Sequence, residues 1–419
     1  MKNKIVFAIL SFCLLVSCYT SLPENPTQSA TRISPNDIAP TANPEIATAA
    51  PSEMMPTSVS ECFGYQGNLL ENLQGRAIFG GENTLFSPMI ELSESPAYLL
   101  ILESGIKLAL PSSDGDQLRD FSVSPDKKWL AYRTELSDGS GEVYVIGNDG
   151  DLFKKYPMAD WWSLMDWLDN DHLLVSKISK QNPYSTLIFN PFTGETEKEL
   201  VANYPDIFKG YSGELYSWDQ YGLSEAVYNQ NLNMVIYPKT PITLVLYNMS
   251  TQNKIVEIAD DSASSQAPMW LSNGREFIVD ITTNNSTGDQ YQDELFKIDI
   301  NGNMEQLTNL LDLGYSNVAI QNFGESSDGQ YVAFWFAQIG LGPSRLAVLD
   351  LMTLNVKVFC DLAGGLMPPA WSPNNEHELL VDGTFGGLEN YGTIFVDVDS
   401  GLTAQVEKGV IPLGWLIDP

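Results

Sequence analysis

Ser124-Pro125-Asp126-Lys127-Lys128-Trp129-Leu130-Ala131-Tyr132 is the stretch that decides the fold, because it joins a polar turn to a short apolar strand. A close copy is Ser327-Asp328-Gly329-Gln330-Tyr331-Val332-Ala333-Phe334. Ser, Pro, Asp and Gly favour such a turn, since they restrict φ, accept positive φ or bond the neighbouring backbone. Four looser copies are Trp371-Ser372-Pro373-Asn374-Asn375, Trp270-Leu271-Ser272-Asn273-Gly274, Trp167-Leu168-Asp169-Asn170-Asp171 and Tyr228-Asn229-Gln230-Asn231-Leu232. The turn and its strand are therefore a repeat.

Seven apolar hairpins alternate with these turns, at a period of about 45 residues. Asp, Asn and Gly fill the hairpin turns, where the backbone takes positive φ or bonds to a side chain. The hairpins begin near Tyr98, Val143, Leu187, Leu244, Leu295, Leu346 and Ile394. Because one such unit cannot bury its own apolar face, neighbouring units must cover one another.

The turn copies resemble the TolB-like propeller repeat, in which the turn joins the innermost strand of a blade to the next strand out. The resemblance covers residues 85–419 and implies a fold more than an activity. We therefore predict an all-β chain with a single seven-bladed β-propeller over residues 61–419. Pro412-Leu413-Gly414-Trp415-Leu416 repeats the inner strand with no hairpin after it, while the first hairpin lacks an inner strand. We expect the N- and C-terminal strands to pair and close the ring.

The first 60 residues carry a leader and a linker. Lys2 and Lys4 precede an apolar run, which is typical of an export signal over residues 1–17. Leu15-Val16-Ser17-Cys18 resembles the bacterial lipobox, which implies lipid attachment at Cys18 as the mature N-terminus; an ordinary signal with a chance cysteine is the alternative. Residues 18–60 are rich in Pro, Ser, Thr and Ala, which predicts a disordered tether.

Net charge and cysteine content restrict the partners and the redox compartment expected for the folded part. The formal net charge of −31 argues against nucleic acid as a partner and against electrostatic docking on anionic lipid. After removal of the leader and lipidation of Cys18, Cys62 and Cys360 remain, and exported thiols favour a disulfide. They pair if their Cα atoms lie within about 7 Å, and otherwise remain free thiols.

No motif of catalytic, metal or cofactor chemistry stands out. A Gly-x-Ser-x-Gly elbow, a P-loop and a His-Glu-x-x-His motif are all missing from the sequence. The two histidines, His172 and His377, follow blade turns and are interpreted as structural or surface residues. Acidic pairs in hairpin turns are interpreted as turn residues rather than calcium ligands: Asp114 with Asp116, Asp149 with Asp151, and Asp397 with Asp399. We predict no catalytic residue, no metal and no cofactor.

Aromatic residues in the long connections are the ligand-binding candidates, since loops on a rigid ring carry contacts and Tyr and Trp suit recognition. The candidates are Trp161, Trp162, Tyr204, Tyr211, Trp218, Tyr221, Tyr291, Phe385 and Tyr391. The resulting hypothesis is a non-enzymatic scaffold that binds an envelope protein or glycan. The alternatives are a carbohydrate-active hydrolase with paired carboxylates about 5 to 9 Å apart in a central funnel, and a purely structural member of an envelope complex. The sequence carries no prediction of oligomeric state.

Overall fold

Antiparallel hairpins form wherever the sequence places an apolar run on each side of a polar turn. The computed structural model describes residues 62–68, 73–81, 97–112, 117–135, 141–158, 161–178, 185–199, 227–229, 231–240, 243–248, 250–251, 253–259, 268–283, 291–340, 342–374, 377–386 and 388–419. All of them belong to one unit, Met55–Pro419. The predictions for the leader, Cys18 and the tether fall outside the described residues.

Five antiparallel sheets have four strands each. The first contains β29 (Ile411–Leu416), β2 (Arg76–Gly80), β3 (Tyr98–Ile101) and β4 (Ile106–Ala109). The second contains β5 (Gln117–Val123), β6 (Trp129–Glu135), β7 (Gly141–Gly147) and β8 (Leu152–Met158). The third contains β9 (Trp161–Trp167), β10 (Leu173–Ile178), β11 (Ser185–Asn190) and β12 (Glu195–Glu199). The fourth contains β13 (Val227–Asn229), β14 (Met234–Thr240), β15 (Thr243–Asn248) and β16 (Asn253–Ala259). The fifth contains β17 (Met269–Trp270), β18 (Glu276–Thr282), β19 (Asp293–Asp299) and β20 (Met304–Gln306).

The sixth sheet has nine strands. It consists of two joined meanders and one added strand. The first meander contains β21 (Val318–Glu325), β22 (Tyr331–Gln338), β23 (Arg345–Asp350) and β24 (Val356–Gly364). The second contains β25 (Ala370–Trp371), β26 (Glu378–Thr384), β27 (Gly392–Asp397) and β28 (Leu402–Lys408), and β1 (Tyr65–Gln66) pairs with β28. A 3-10 helix, Leu388–Asn390, lies between β26 and β27, and the described residues contain no α-helix. None of their helices is long and apolar enough to cross a membrane.

The sequence predicts seven blades, whereas the described strands form six sheets. The last two meanders merge because Gly364 of β24 pairs with Gly383 of β26. A Cβ atom on Gly364 would lie 2.1 Å from the carbonyl oxygen of Asp382, and one on Gly383 would lie 2.7 Å from that of Ala363. Glycine at both positions therefore allows the two backbones to approach and share hydrogen bonds.

All seven predicted hairpins are present. The Ser-Pro-Asp-type turns also form as predicted. Ser124 Oγ accepts the N–H of Trp129 at 3.0 Å and donates to Asp126 at 2.7 Å. In the later copy, Ser326 Oγ accepts the N–H of Tyr331 at 2.9 Å and donates to Asp328.

The core consists of apolar clusters that each draw on two successive sheets or meanders. Representative pairs that share a cluster are Leu99 and Tyr132, Val145 and Val175, Ile236 and Phe277, Ile278 and Phe336, Trp335 and Val381, and Phe395 and Phe79. The last pair links the end of the chain to its first four-stranded sheet, where β29 also pairs with β2. The chain is therefore all-β with a propeller-like arrangement.

Tryptophan indoles tie neighbouring units together at the repeat distance. The Nε1 of Trp167 donates to the carbonyl of Ser122 at 3.0 Å, and that of Trp371 donates to the carbonyl of Gly324 at 3.0 Å. Ser122 and Gly324 occupy equivalent positions, two residues before the turn serine. In these two repeats, the aromatic residue that precedes the turn thus bonds to the preceding unit.

Cys62 and Cys360 form a disulfide, with their Cα atoms 5.4 Å apart. Next to it, the N–H of Phe63 donates to Val358 of β24, and β1 then runs parallel to β28. The segment 62–67 therefore lies along the last strands of two meanders and covers the free edge of β28.

Candidate functional site

The two ends of the strands differ in what they carry. In an antiparallel meander, the first and third connections emerge at one end, and the second connection and the link to the next meander emerge at the other. The turn end carries the tight turns, such as 124–128, 148–151, 326–330 and 398–401. The connection end carries the longer links, such as 283–292, 307–317, 339–344, 365–369 and 385–391. Of the aromatic candidates, five belong, by this order, to links or strand starts of the connection end: Trp161, Trp162, Tyr291, Phe385 and Tyr391.

Asp382 organises one part of the connection end. Its carboxylate is fully buried and accepts the N–H groups of Gly365 at 3.1 Å, Leu366 at 2.7 Å and Met367 at 3.0 Å. The hydroxyl of Tyr391 also donates to it. Burial raises the pKa of Asp382, and the hydrogen bonds oppose that rise. One side chain of β26 thereby holds the link 365–369 in place.

Glu294 does the same for the link 307–317. It is 2% exposed and accepts the N–H of Leu310 at 2.9 Å, the hydroxyl of Thr308 at 2.6 Å and the side-chain amide of Gln292 at 3.0 Å. Burial raises the pKa of Glu294 against these hydrogen bonds. Its neighbour Asp293 accepts the N–H of Ile320 at 3.1 Å.

These carboxylates do not resemble a glycosidase pair. Such a pair must reach a substrate, whereas Asp293, Glu294 and Asp382 are at most 2% exposed and hold protein donors. On the first strands of two other sheets, Asp120 pairs with Arg133 at 2.7 Å and Asp166 accepts the hydroxyl of Ser122 at 2.5 Å. Each of the five therefore has a structural partner.

Two of the aromatic candidates pack inside the protein. Tyr391 is 4% exposed and bonds to Asp382, so its hydroxyl serves the buried network rather than a ligand surface. Phe385 is partly buried and packs against the apolar cluster of β22 and β26. Tyr291 is partly exposed, directly before β19.

The remaining aromatic candidates lie at the edge of what the structure describes, or beyond it. Trp161 and Trp162 begin β9 and pair with Ile178 and Lys177, and their side chains fall outside the described residues. Tyr204, Tyr211, Trp218 and Tyr221 also fall outside them. Their role in binding stays a prediction.

Exposed aliphatic side chains at the connection end were missed by the sequence reasoning. Leu311, Ile339, Leu366 and Leu388 are 40%, 47%, 38% and 53% exposed, and they occupy four successive links. Isolated aliphatic residues in loops are common, which makes each a weak signal alone. Their placement on successive links of one end becomes visible once the strand order is known.

The turn end carries the histidines and the turn carboxylates. His172 lies between Asp169, 2.8 Å from Nδ1, and Glu197, 3.1 Å from Nε2, and the Nδ1 of His377 lies 2.5 Å from Asp399. Both histidines thus contact carboxylates of the turn end, which agrees with the predicted structural or surface role.

Asp149 and Asp397 accept the N–H groups of the residues two positions on, at 2.9 Å each, which confirms their turn role. Asp114 and Asp116 lie outside the described residues. Within the described ranges, no group of three His, Cys, Asp or Glu residues is placed to hold a metal ion.

No protein-family model and no curated protein sequence matches the chain. Among solved structures, TolB from Acinetobacter baumannii aligns at 13% identity over 78% of this chain and 82% of its own, with a TM-score of 0.44. The periplasmic gluconolactonase PpgL of Pseudomonas aeruginosa aligns at 13% identity over 82% and 98%, with a TM-score of 0.46. The Cps50 (Swd1) β-propeller domain of Myceliophteria thermophila aligns at 11% identity over 73% and 88%, with a TM-score of 0.43. The strand pairings of the chain itself establish its propeller-like arrangement, and that arrangement resembles those of TolB and other β-propellers.

Proposed function

We propose that the chain is a lipid-anchored, non-enzymatic recognition scaffold of the bacterial cell envelope, which binds a protein or glycan through its connection end. The observation that carries the proposal is the set of exposed aliphatic side chains Leu311, Ile339, Leu366 and Leu388 on successive links of that end. Buried carboxylates hold two of these links rigidly, through Glu294 and Asp382. Apolar contacts on preorganised loops favour association, since less conformational freedom is lost on binding.

The scaffold is a closed seven-bladed propeller in this proposal. The five four-stranded sheets supply five blades, and the nine-stranded sheet supplies two, β21–β24 and β25–β28. Pairing of β29 with β2 supports closure of the ring between the C-terminal strand and the first blade. Closure leaves short protected edges, which suits an exported protein that must not aggregate through free strands.

An extracytoplasmic position, anchored by lipid at Cys18, follows from the leader and the lipobox resemblance. The disulfide between Cys62 and Cys360 supports an oxidising compartment. Replacing Cys18 with serine should move the protein from the membrane fraction to the soluble envelope fraction. Membrane retention of the serine variant would contradict lipid anchoring.

Capture of partners from envelope extract, together with a glycan array, tests the binding proposal. Leu366→Asp and Leu388→Asp should abolish capture or glycan binding, because a charge would have to be buried at an apolar contact. The matched control is Met352→Asp, which places the same charge on an 82% exposed side chain at the turn end and should bind normally. Equal binding by all three variants, or turnover of a bound sugar, would refute the scaffold.

A further inference from the structure

A small cavity of about 110 Å³ lies at the connection end of the meander β21–β24. It is lined by Phe336, Gln338, Pro343, Arg345, Cys360, Leu362 and Ala363. The space is sufficient for a small organic molecule, since a single water needs far less. Phe336 and Leu362 are each 1% exposed, so much of the wall is apolar and fixed in the core.

Arg345 is the charged side chain of this lining. Its guanidinium lies 5.6 Å from the ring centre of Tyr315, which is 9% exposed and packs in the core. Within the described chain it forms no ion pair, although the protein has 53 acidic residues against 22 basic ones. A guanidinium presents its N–H donors in its own plane, where they suit a planar anion.

A disulfide and a side-chain hydrogen bond fix the wall of the cavity. Cys360 is bonded to Cys62, so the end of β24 is tied to the N-terminal segment. The side-chain amide of Gln338 donates to the carbonyl of Ser316 at 3.2 Å. A wall fixed in this way loses little freedom when a ligand enters.

We propose that this cavity binds a small organic carboxylate, with the carboxylate on Arg345 and a short apolar group against Phe336, Pro343 and Leu362. A carboxylate forms two parallel hydrogen bonds with a guanidinium, which a neutral amide cannot match. The cavity limits the apolar part to a few carbon atoms. The inference goes beyond the envelope scaffold, since it concerns a ligand small enough to diffuse freely.

Titration of the whole mature protein with isobutyrate, followed by ligand-observed NMR, tests the proposal. Isobutyramide, which has the same shape without the charge, serves as the matched ligand. We expect saturable isobutyrate binding with a Kd of about 1 to 10 mM, and binding of isobutyramide that is about tenfold weaker. Absence of saturation by isobutyrate, or equal binding of the two ligands, would overturn the proposal.

Two variants locate the site. Arg345→Gln should weaken isobutyrate binding by about tenfold, while Arg275→Gln should leave it unchanged. Arg275 is an exposed arginine in the turn between β17 and β18, so its replacement makes the same change in net charge. Equal loss in both variants would show a diffuse charge effect and refute the pocket.

Ala363→Val adds bulk to the cavity wall without altering charge, and it should weaken binding of isobutyrate as well. An unchanged thermal unfolding midpoint shows that each variant is folded. If Arg345→Gln does not fold, the valine variant decides the question, since binding that survives a filled cavity would place the ligand elsewhere.

Discussion

Carboxylates at the connection end and at the turn end satisfy backbone N–H groups in opposite electrostatic settings. Asp299, the last residue of β19, accepts the N–H groups of Asn301 and Asn303 in the following turn at 2.8 Å each. Slight burial raises its pKa, but these hydrogen bonds outweigh it and hold the pKa below the ordinary value. Asp382 accepts three N–H groups as well, yet complete burial raises its pKa. Depth of burial, rather than the number of hydrogen bonds, thus sets the direction of the shift.

The two ends also differ in the sequence separation between each carboxylate and the N–H groups that donate to it. Turn carboxylates bond to residues two to four positions on, so each stabilises its own turn. Asp382 bonds to residues 15 to 17 positions earlier, and Glu294 to a residue 16 positions later. Connection-end carboxylates therefore bridge a strand and a separate link, and their removal should disturb tertiary structure rather than one turn.

The largest expected effect comes from Asp382→Ala. The variant leaves three backbone N–H groups and the buried hydroxyl of Tyr391 without their acceptor, which should lower the free energy of unfolding by about 4 kcal/mol. The matched turn-end variant is Asp397→Ala, which should cost about 1 kcal/mol because water replaces the lost acceptor. Urea denaturation measures both, and equal costs would remove the distinction between the two ends.

Removal of an indole N–H donor should have the next largest effect on the free energy of unfolding. Trp371→Phe leaves the carbonyl of Gly324 without its donor and should cost about 1 to 2 kcal/mol more than Trp335→Phe. Trp335 is the control, because its buried Nε1 has no hydrogen-bond partner in the described structure. Urea denaturation measures both variants. An equal loss of unfolding free energy in the two would mean that the hydrogen bond from the Trp371 indole to Gly324 contributes no stability.

Loss of the turn serine is a smaller change. Ser326→Ala removes the acceptor of the Tyr331 N–H and should lower the free energy of unfolding by about 1 kcal/mol. Ser112→Ala, at an exposed serine of the connection end, should be nearly neutral. Thermal unfolding compares the two, and neutrality of Ser326→Ala would show that the turn forms without its hydroxyl.

The smallest effect is a pair of opposite pH dependences. Glu294 has a raised pKa, so its contribution is fully present below the ordinary value of 4.5 and declines as pH rises through the folded-state pKa. Asp299 has a lowered pKa, so its contribution is present above the ordinary value of 3.8 and is lost as pH falls. Because Asp299 is only partly buried, screening by solvent keeps its effect to about 0.5 kcal/mol.

Stability curves of Glu294→Gln and Asp299→Asn against pH, each subtracted from that of the unaltered protein, give the two contributions. We expect the Asp299 contribution to be lost as pH falls below 3.8 and the Glu294 contribution to be lost as pH rises above 4.5, which gives slopes of opposite sign. Slopes of the same sign would contradict the assignment of burial to one end and local hydrogen bonding to the other.

Much of the fold was predictable from short-range patterns. The copies around Ser124 and Ser326 predicted the turns, and apolar runs beside Asn and Gly predicted the hairpins, because turn conformation and strand alternation depend on a few adjacent residues. The site was less predictable. Tyr391 is of a residue type that is common at binding surfaces, yet its hydroxyl donates a hydrogen bond to Asp382 in the core. Leu366 and Leu388 became candidates through their position in the fold.

By itself, the sequence determined an all-β chain of repeated turns and hairpins, with aromatic residues at each repeat, since local stereochemistry dictates those features. The tertiary structure decided the pairing of Cys62 with Cys360, the merger of two meanders at Gly364 and Gly383, and the cavity beside Arg345. These features join residues far apart in the chain. Which distant groups meet is set by packing of the whole molecule, through close approach of backbones and satisfaction of buried polar groups.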